Sequence, residues 1–335
     1  MADPVLSVRN LRIEIATRRG TLLAVDDASF EIAEGEVLGV VGESGAGKSI
    51  TGGAIIGLLE PPLRHVGGEI RLAGRRIDDL AAEPMRLLRG RHIGAVFQDP
   101  LTSLNPLMTV GRQLMQTMSA HLDLSPREAR TRAARLLAEV GLPAAQERLD
   151  SYPHELSGGM RQRVVLALAF CCEPQLIIAD EPTTALDVSV QAQVIEVLRR
   201  MCRERGTAVM LITHDMGVIA EIADRIAVMY GGRIVEIGRA EAILHAPAHP
   251  YTRGLMACIP SMHRRYRDLP QIEGSMPRLD AIPSGCAFHP RCPSRLPRCD
   301  RERPVLAPAG ATQSACWLTA ACDQMQDIVA AAGHA

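Results

Sequence analysis

The eight residues Gly42-Glu43-Ser44-Gly45-Ala46-Gly47-Lys48-Ser49 constrain this chain more than any other stretch, because they fit the pattern G-x-x-x-x-G-K-[ST]. Average residue usage produces such a match in about one chain in a hundred of this length, so its flanks must carry the assignment. Before it, Val37 to Val41 is a short apolar run of the kind that forms buried strands, and the residues after it read as helix. Glycines at 42, 45 and 47 permit a tight turn whose successive N–H groups face one point, and the helix begins there with its positive dipole end. A cradle built this way binds phosphate. Lys48 is then expected to reach the β- and γ-phosphates of a nucleotide, and Ser49 to hold Mg²⁺.

A chain of 335 residues is long for a single core, which favours one large domain with an appendage, or two domains. With 37 Lys and Arg against 38 Asp and Glu there is no global basic field, and no helix reads as uniformly basic, so nucleic acid is disfavoured as a partner. The start, Met1-Ala2-Asp3-Pro4, lacks an export signal. The most apolar region, residues 164–179, is broken by Glu173-Pro174 and falls short of the roughly 20 residues a spanning helix needs. The expectation is a soluble, cytosolic protein whose nine cysteines are not structural disulfides.

Alternation in the first forty residues (Val5, Leu6, Val8; Leu11, Ile13, Ile15; Phe30, Ile32) predicts strands forming an antiparallel edge before the phosphate loop. A helix is expected from Ser49 to Leu59, stopped by Pro61-Pro62, followed by strands over 69–72 and 92–97. Helix-spaced apolar residues over 114–122 and 126–140, the second capped by Ser125, predict a helical insert over about 99–170. Strands over 176–179 and 208–213 alternate with helices over 188–203 and 216–222, which predicts an α/β fold with a mostly parallel sheet. Beyond Leu244, Pro and Arg become frequent and long periodic segments vanish. The boundary is placed near residue 245, dividing the chain into 1–245 and 246–335.

Two further stretches carry chemistry. The run 176–181 is an apolar strand ending in Asp180 and Glu181, so one carboxylate can reach Mg²⁺ while the next orients a water for attack on the γ-phosphate. Ser157-Gly158-Gly159 caps an apolar helix, where exposed N–H groups offer a second anion site.

Leu156-Ser157-Gly158-Gly159-Met160 resembles the LSGGQ signature of the ATP-binding subunits of ABC transporters, with Met160 in place of glutamine. The family's other motifs follow in order: Gln98 in Val96-Phe97-Gln98-Asp99-Pro100, Ala185-Leu186-Asp187, and His214 in Ile212-Thr213-His214-Asp215. The resemblance implies an α/β phosphate-loop ATPase core with a helical insert, working as a head-to-tail dimer. Residues 42–49 of one copy would hold ATP and Mg²⁺, and Ser157, Gly158 and Gly159 of the other would close over it. It further implies Glu181 as general base or water-positioning residue, Asp180 and Gln98 at Mg²⁺, His214 at the γ-phosphate, and Asp187 at the dimer seam. The aromatic that usually stacks on adenine is missing from residues 18–25, where Leu22 takes its place.

The run from Asp99 to Pro106 and His249-Pro250-Tyr251-Thr252 resemble the dipeptide and oligopeptide import branch. That branch implies two membrane permease subunits, a second related ATPase, an extracytoplasmic peptide-binding protein acting indirectly, and a place on the cytoplasmic face of the inner membrane. Nickel, opines and glutathione are competing cargoes, and soluble non-transport ABC ATPases are the alternative of another class. In the tail, Cys286, Cys292, Cys299 and Cys316 are separated by five, six and sixteen residues, matching neither a C-x₂₋₄-C zinc pair nor a ferredoxin run. Spacing alone names no metal; the branch implies a [4Fe-4S] cluster, with zinc as the runner-up. Cys171, Cys172, Cys202 and Cys258 read as core residues and Cys322 as a spare.

Overall fold

Alternating burial along the first strands produces β1 (Leu6–Thr17) and β2 (Gly20–Ile32), which pair antiparallel. A register shift between Val8 and Leu11 lets these two oddly spaced residues share the buried face. The structure is a computed structural model and describes residues 3–18, 20–184, 186–258 and 271–319. With β4 (Leu63–Leu72) and β5 (Arg75–Arg76) the strands form a four-stranded sheet of their own, in the order β2-β1-β4-β5.

The second sheet has eight strands. β3 (Val37–Val41), β6 (Ile93–Val96), β7 (Leu176–Asp180), β8 (Ala208–Ile212) and β9 (Arg225–Tyr230) are mutually parallel. Its antiparallel edge comes from β10 (Arg233–Arg239), β11 (Ala307–Ala309) and β12 (Thr312–Ser314), giving the order β11-β12-β10-β9-β3-β8-β7-β6. β3 and β8 are buried along their whole length because both sheet faces are covered. Leu38 and Val40 of β3 join the antiparallel sheet in one core, while Val37 and Val41 join the helices in another. The period of two thus places one strand in two cores.

The loop-proximal helix α1 (Lys48–Ile55) ends short of the expected Leu59. Gly57, at φ 64°, takes the left-handed conformation that stops a helix, so a glycine rather than Pro61-Pro62 sets the boundary. After α2 (Ala82–Leu88), the helical insert comprises α3 (Pro100–Ser103), α4 (Val110–His121), α5 (Pro126–Glu139), α6 (Ala145–Arg148) and α7 (Gly158–Phe170). Ser125 caps α5 in a reciprocal box with Glu128, whose carboxylate accepts from the Ser125 N–H at 2.9 Å. The remaining helices are α8 (Val188–Arg205), α9 (Met216–Ile222), α10 (Ala240–His245) and α11 (Pro250–Ala257).

The last described residues carry mostly short turns, yet they are bonded to the sheet. β12 pairs with β10, Phe288 packs among Tyr230 and Tyr251, and Cys299, Ala307 and Trp317 form a small core. Cys171, Cys172 and Cys202 are buried, Cys258 is half-buried, and Cys322 lies outside the described residues. Among the described residues no helix is long and apolar enough to cross a membrane.

Candidate nucleotide site

β3 delivers the chain into the phosphate loop, and two glycines there are fixed by conformation and space together. Gly42 has φ 151° and a Cβ on it would lie 2.3 Å from the Met229 carbonyl; Gly47 has φ 101° and its Cβ would meet the Ala24 carbonyl at 3.0 Å. The loop is therefore pressed against the sheet and turns α1 toward the site. The buried Lys48 ammonium donates to the Gly42 and Glu43 carbonyls at 2.7 and 3.1 Å. Burial lowers its pKa, and the charges of Glu181, Asp180 and Glu43 oppose that shift.

β7 lies one strand from β3, with β8 between them, and its end brings Asp180 to Ser49. Burial raises the Asp180 pKa against the Ser49 hydrogen bond, while Glu181 adds repulsion and Lys48 attraction. Asp180 Oδ1 is buried without a hydrogen-bond partner. A hydroxyl beside a carboxylate with one oxygen unused is a donor set suited to a hard cation, so Ser49 and Asp180 fit Mg²⁺.

Glu181 is the hub. Its backbone sits at φ 48°, and its N–H donates to the Ile212 carbonyl at 2.8 Å, joining the end of β7 to β8. Its Oε2 accepts from Gln98 Nε2 at 3.1 Å and Thr184 Oγ1 at 2.8 Å, and its Oε1 lies 3.0 Å from His214 Nδ1. Burial works against ionisation, but hydrogen bonds from His214 and Thr184 and the charges of His214 and Lys48 outweigh it, holding this carboxyl below its ordinary pKa. Because an ionised carboxylate only accepts, His214 presents Nδ1–H to it. Thr184 escaped the sequence reading. Its signal was a hydroxyl three residues after the glutamate in the turn Glu181-Pro182-Thr183-Thr184, closed by the Thr184 N–H on the Glu181 carbonyl at 3.2 Å.

A second group lies at the start of α7. Ser157 caps this helix, accepting from the Met160 N–H at 3.3 Å. A Cβ on Gly159 would stand 2.4 Å from Val190 Cγ1, and one on Gly158 would be 3.7 Å from Leu186 Cδ2. The serine-glycine cap therefore packs on the segment holding Asp187, which is the N-cap of α8; Ala185 lies outside the described residues. Gly159→Ala is expected to leave nucleotide binding by the isolated chain within about twofold. If this cap borders a reacting nucleotide, as the resemblance implies, the variant should cut ATP turnover by about a hundredfold, because a shift of about 1 Å at a reacting group costs that much. Binding titration and steady-state hydrolysis read the two effects.

Between the core and the insert lies a cavity of about 460 Å³ lined by Ile56, Leu58, Arg89, Phe97, Val165 and Ala169, among others. Phe97, adjacent to Gln98, is 46% exposed, and Leu107 is 84% exposed.

In the tail, the Cys286 N–H donates to the Cys299 carbonyl at 2.8 Å. Burial pushes the Cys286 thiol up to about 12, a Phe288 N–H opposes this, and the charges of Cys299, Cys316 and Cys292 add to it. Cys286 thus lies near enough to the other three cysteines for their charges to act on it. Among the described residues, however, no three or more His, Cys, Asp or Glu side chains gather tightly enough to hold a metal ion.

A phosphate loop with two carboxylates beside it, and a separate serine-glycine helix start, occur together in ATP-binding cassettes. Agreeing with that class, the family model described as ABC transporter matches residues 25–184. A second, the oligopeptide/dipeptide transporter C-terminal region, matches residues 235–299. The chain belongs to the ATP-binding, ATP-hydrolysing proteins of ABC transporters, in their dipeptide/oligopeptide branch. It is 45% identical to the dipeptide transport ATP-binding protein DppD of Bacillus subtilis (strain 168), over 94% of this chain and 95% of that one. It is also 45% identical to the oligopeptide transport ATP-binding protein OppD of Salmonella typhimurium, over 94% of each. Among solved structures, the dimeric post-hydrolysis cassette MJ0796 bound to ADP and Pi is 27% identical, with TM-score 0.63 over 70% of this chain and 98% of that one. The cassette cbiO1 of Clostridium perfringens is 28% identical, with TM-score 0.64 over 73% and 92%.

Proposed function

We propose that this chain is the ATP-hydrolysing subunit that energises import of di- or oligopeptides through a membrane permease. The observation carrying the reading is that the likeness to DppD and OppD runs through both the cassette and the tail. The MJ0796 cassette is dimeric, and by that analogy two cassettes trap ATP between residues 42–49 of one and Ser157, Gly158 and Gly159 of the other, with Asp187 at the seam. Lys48 and the loop amides bind the phosphates, and Ser49, Asp180 and Gln98 hold Mg²⁺, whose charge neutralises the phosphate oxygens. Glu181 takes the proton of the attacking water or orients it, and His214 contacts the γ-phosphate. Gln98 bonds to Glu181, and its chain neighbour, the exposed Phe97, lines the cavity between core and insert. A permease segment seated there would feel closure of the site, which makes hydrolysis a bias on a two-state element.

The companion cassette is read as a related chain, the binding protein as an indirect partner, and the place of work as the cytoplasmic face of the cell membrane. Residues 1–245 are read as the cassette, with the signature insert over about 99–170, and 246–335 as its extension. Co-expression with the neighbouring permease subunits should give a complex whose ATP turnover rises when peptide-loaded binding protein is added. A complex stimulated by nickel, an opine or glutathione but not by peptides would replace the cargo. Absence of any permease complex would remove the transport role.

The four tail cysteines are proposed to hold a [4Fe-4S] cluster. The proposal rests on the likeness to the dipeptide/oligopeptide branch, and among the described residues the four thiols do not gather as a metal site. Anaerobically purified protein should carry about four iron atoms and matching acid-labile sulfide per chain. Stoichiometric zinc without iron would overturn the proposal.

A further inference from the structure

Glu43, the second residue of the phosphate loop, is held from two sides by residues 208 and 248 positions away. Its backbone N–H donates to Tyr251 Oη at 2.9 Å. Its two carboxylate oxygens accept from Arg291 Nη1 at 2.9 and 3.1 Å. Neither contact lies on open surface: Tyr251 is fully buried, and the Arg291 side chain is 7% exposed. Tyr251 is placed by its own motif, since buried His249 accepts the Tyr251 N–H on Nδ1 at 3.0 Å and starts α11. Tyr230 and Phe288 pack against the Tyr251 ring at centroid distances of 4.7 and 5.3 Å. Arg291 spends the rest of its fork on the appendage, donating through Nε to the Glu273 carbonyl at 2.9 Å and through Nη2 to the Gly274 carbonyl at 3.3 Å.

We propose that Arg291 and Tyr251 are positioning residues for the phosphate loop, so that affinity for nucleotide depends on the fold of the C-terminal appendage. A loop with three glycines loses much conformational freedom when its N–H groups must all face one phosphate chain. Fixing Glu43 through both backbone and side chain imposes part of that order before the nucleotide arrives, and preorganisation of this kind appears as tighter binding. Arg291 directly precedes Cys292, and the Cys286 backbone N–H donates to the Cys299 carbonyl, so the residue that grips the loop is part of the same folded tail segment as these cysteines.

The proposal rests on residues 42–49 being the ATP site, and the experiment separates the two. The full-length chain is titrated with a fluorescent ATP analogue and Mg²⁺, with melting temperature recorded for each variant. Arg291→Ala and Glu43→Gln should each weaken binding about tenfold, the scale of one lost charge-assisted bond. Their double variant should be no weaker than either alone, because both remove one contact. Tyr251→Phe should lose about threefold, and Arg291→Lys should fall between wild type and Arg291→Ala. Lys48→Ala should bind at least about a hundredfold more weakly. Wild-type affinity in Arg291→Ala, or effects that multiply in the double variant, would overturn the positioning role. Undiminished binding by Lys48→Ala would overturn the loop assignment beneath it. If Arg291→Ala does not fold, Glu43→Gln and Arg291→Lys decide, and wild-type affinity in both counts against the proposal.

Discussion

Glu181→Gln will bind MgATP as tightly as the unaltered chain and turn it over about a thousandfold more slowly, within the range seen when a general base is lost. Glutamine can still accept from Gln98, Thr184 or His214 through its one oxygen, so the pocket keeps its shape. What it cannot do is carry the negative charge that takes or directs a proton. Ordinary turnover by this variant in the assembled transporter would remove Glu181 from the chemistry. The same carboxylate has a signature in pH. Its pKa is held down by His214 and Thr184 against the effect of burial, so the active anion and the stability it contributes persist at neutral pH and are lost only as pH falls through the depressed value. In His214→Ala, one bond and its charge are gone and burial remains. The acid limb of the turnover profile should therefore move to higher pH, and an unmoved limb would show that His214 does not tune this group.

Lys48→Ala should weaken nucleotide binding by at least about a hundredfold and leave turnover undetectable. The ammonium is buried and held by two loop carbonyls beside Glu181 and Asp180, so it is already stationed where phosphate charge arrives. Two charge-assisted bonds at about 1.5–3 kcal/mol each make about 3–6 kcal/mol, which is a factor of about a hundred or more. Lys48→Arg should not restore binding, because a planar fork does not fit a site shaped for a point charge between two carbonyls. Calorimetric titration measures both variants, and near-normal affinity in either would contradict this account of the loop.

Local signals made much of the fold readable. The bounds of α9 follow directly from its apolar spacing, Ser125 caps α5 as its sequence implied, and the strands expected over 37–41, 176–179 and 208–213 become, within a residue at one end, adjacent strands of one parallel sheet. Readability failed where a contact joins distant segments or an element is too short to show a period. β11 and β12 have three residues each, too few for alternation to register. The early strands were visible as strands, but their grouping into a separate sheet depends on pairing with β4, some fifty residues on. In the site, Lys48, Ser49, Gln98, Asp180, Glu181 and His214 were named because each belongs to a compact motif. Thr184 and Arg291 were not, and Tyr251 was named only as part of a branch motif with no place in the site, since a hydroxyl in a turn, a buried tyrosine and one arginine among many acquire a role only from what they touch.

The small hairpin at residues 307–314 covers the flank of β10, where Glu236 lies wholly buried and accepts from Thr312 as well as from the Ala248 and His249 amides. Anyone shortening this protein to a minimal engine would uncover a row of unsatisfied main-chain groups and strip a shielding hydroxyl from an interior carboxylate. Such a truncate would offer its neighbours a sticky border, and its failure to stay in solution would say nothing about whether the excised part takes part in moving cargo.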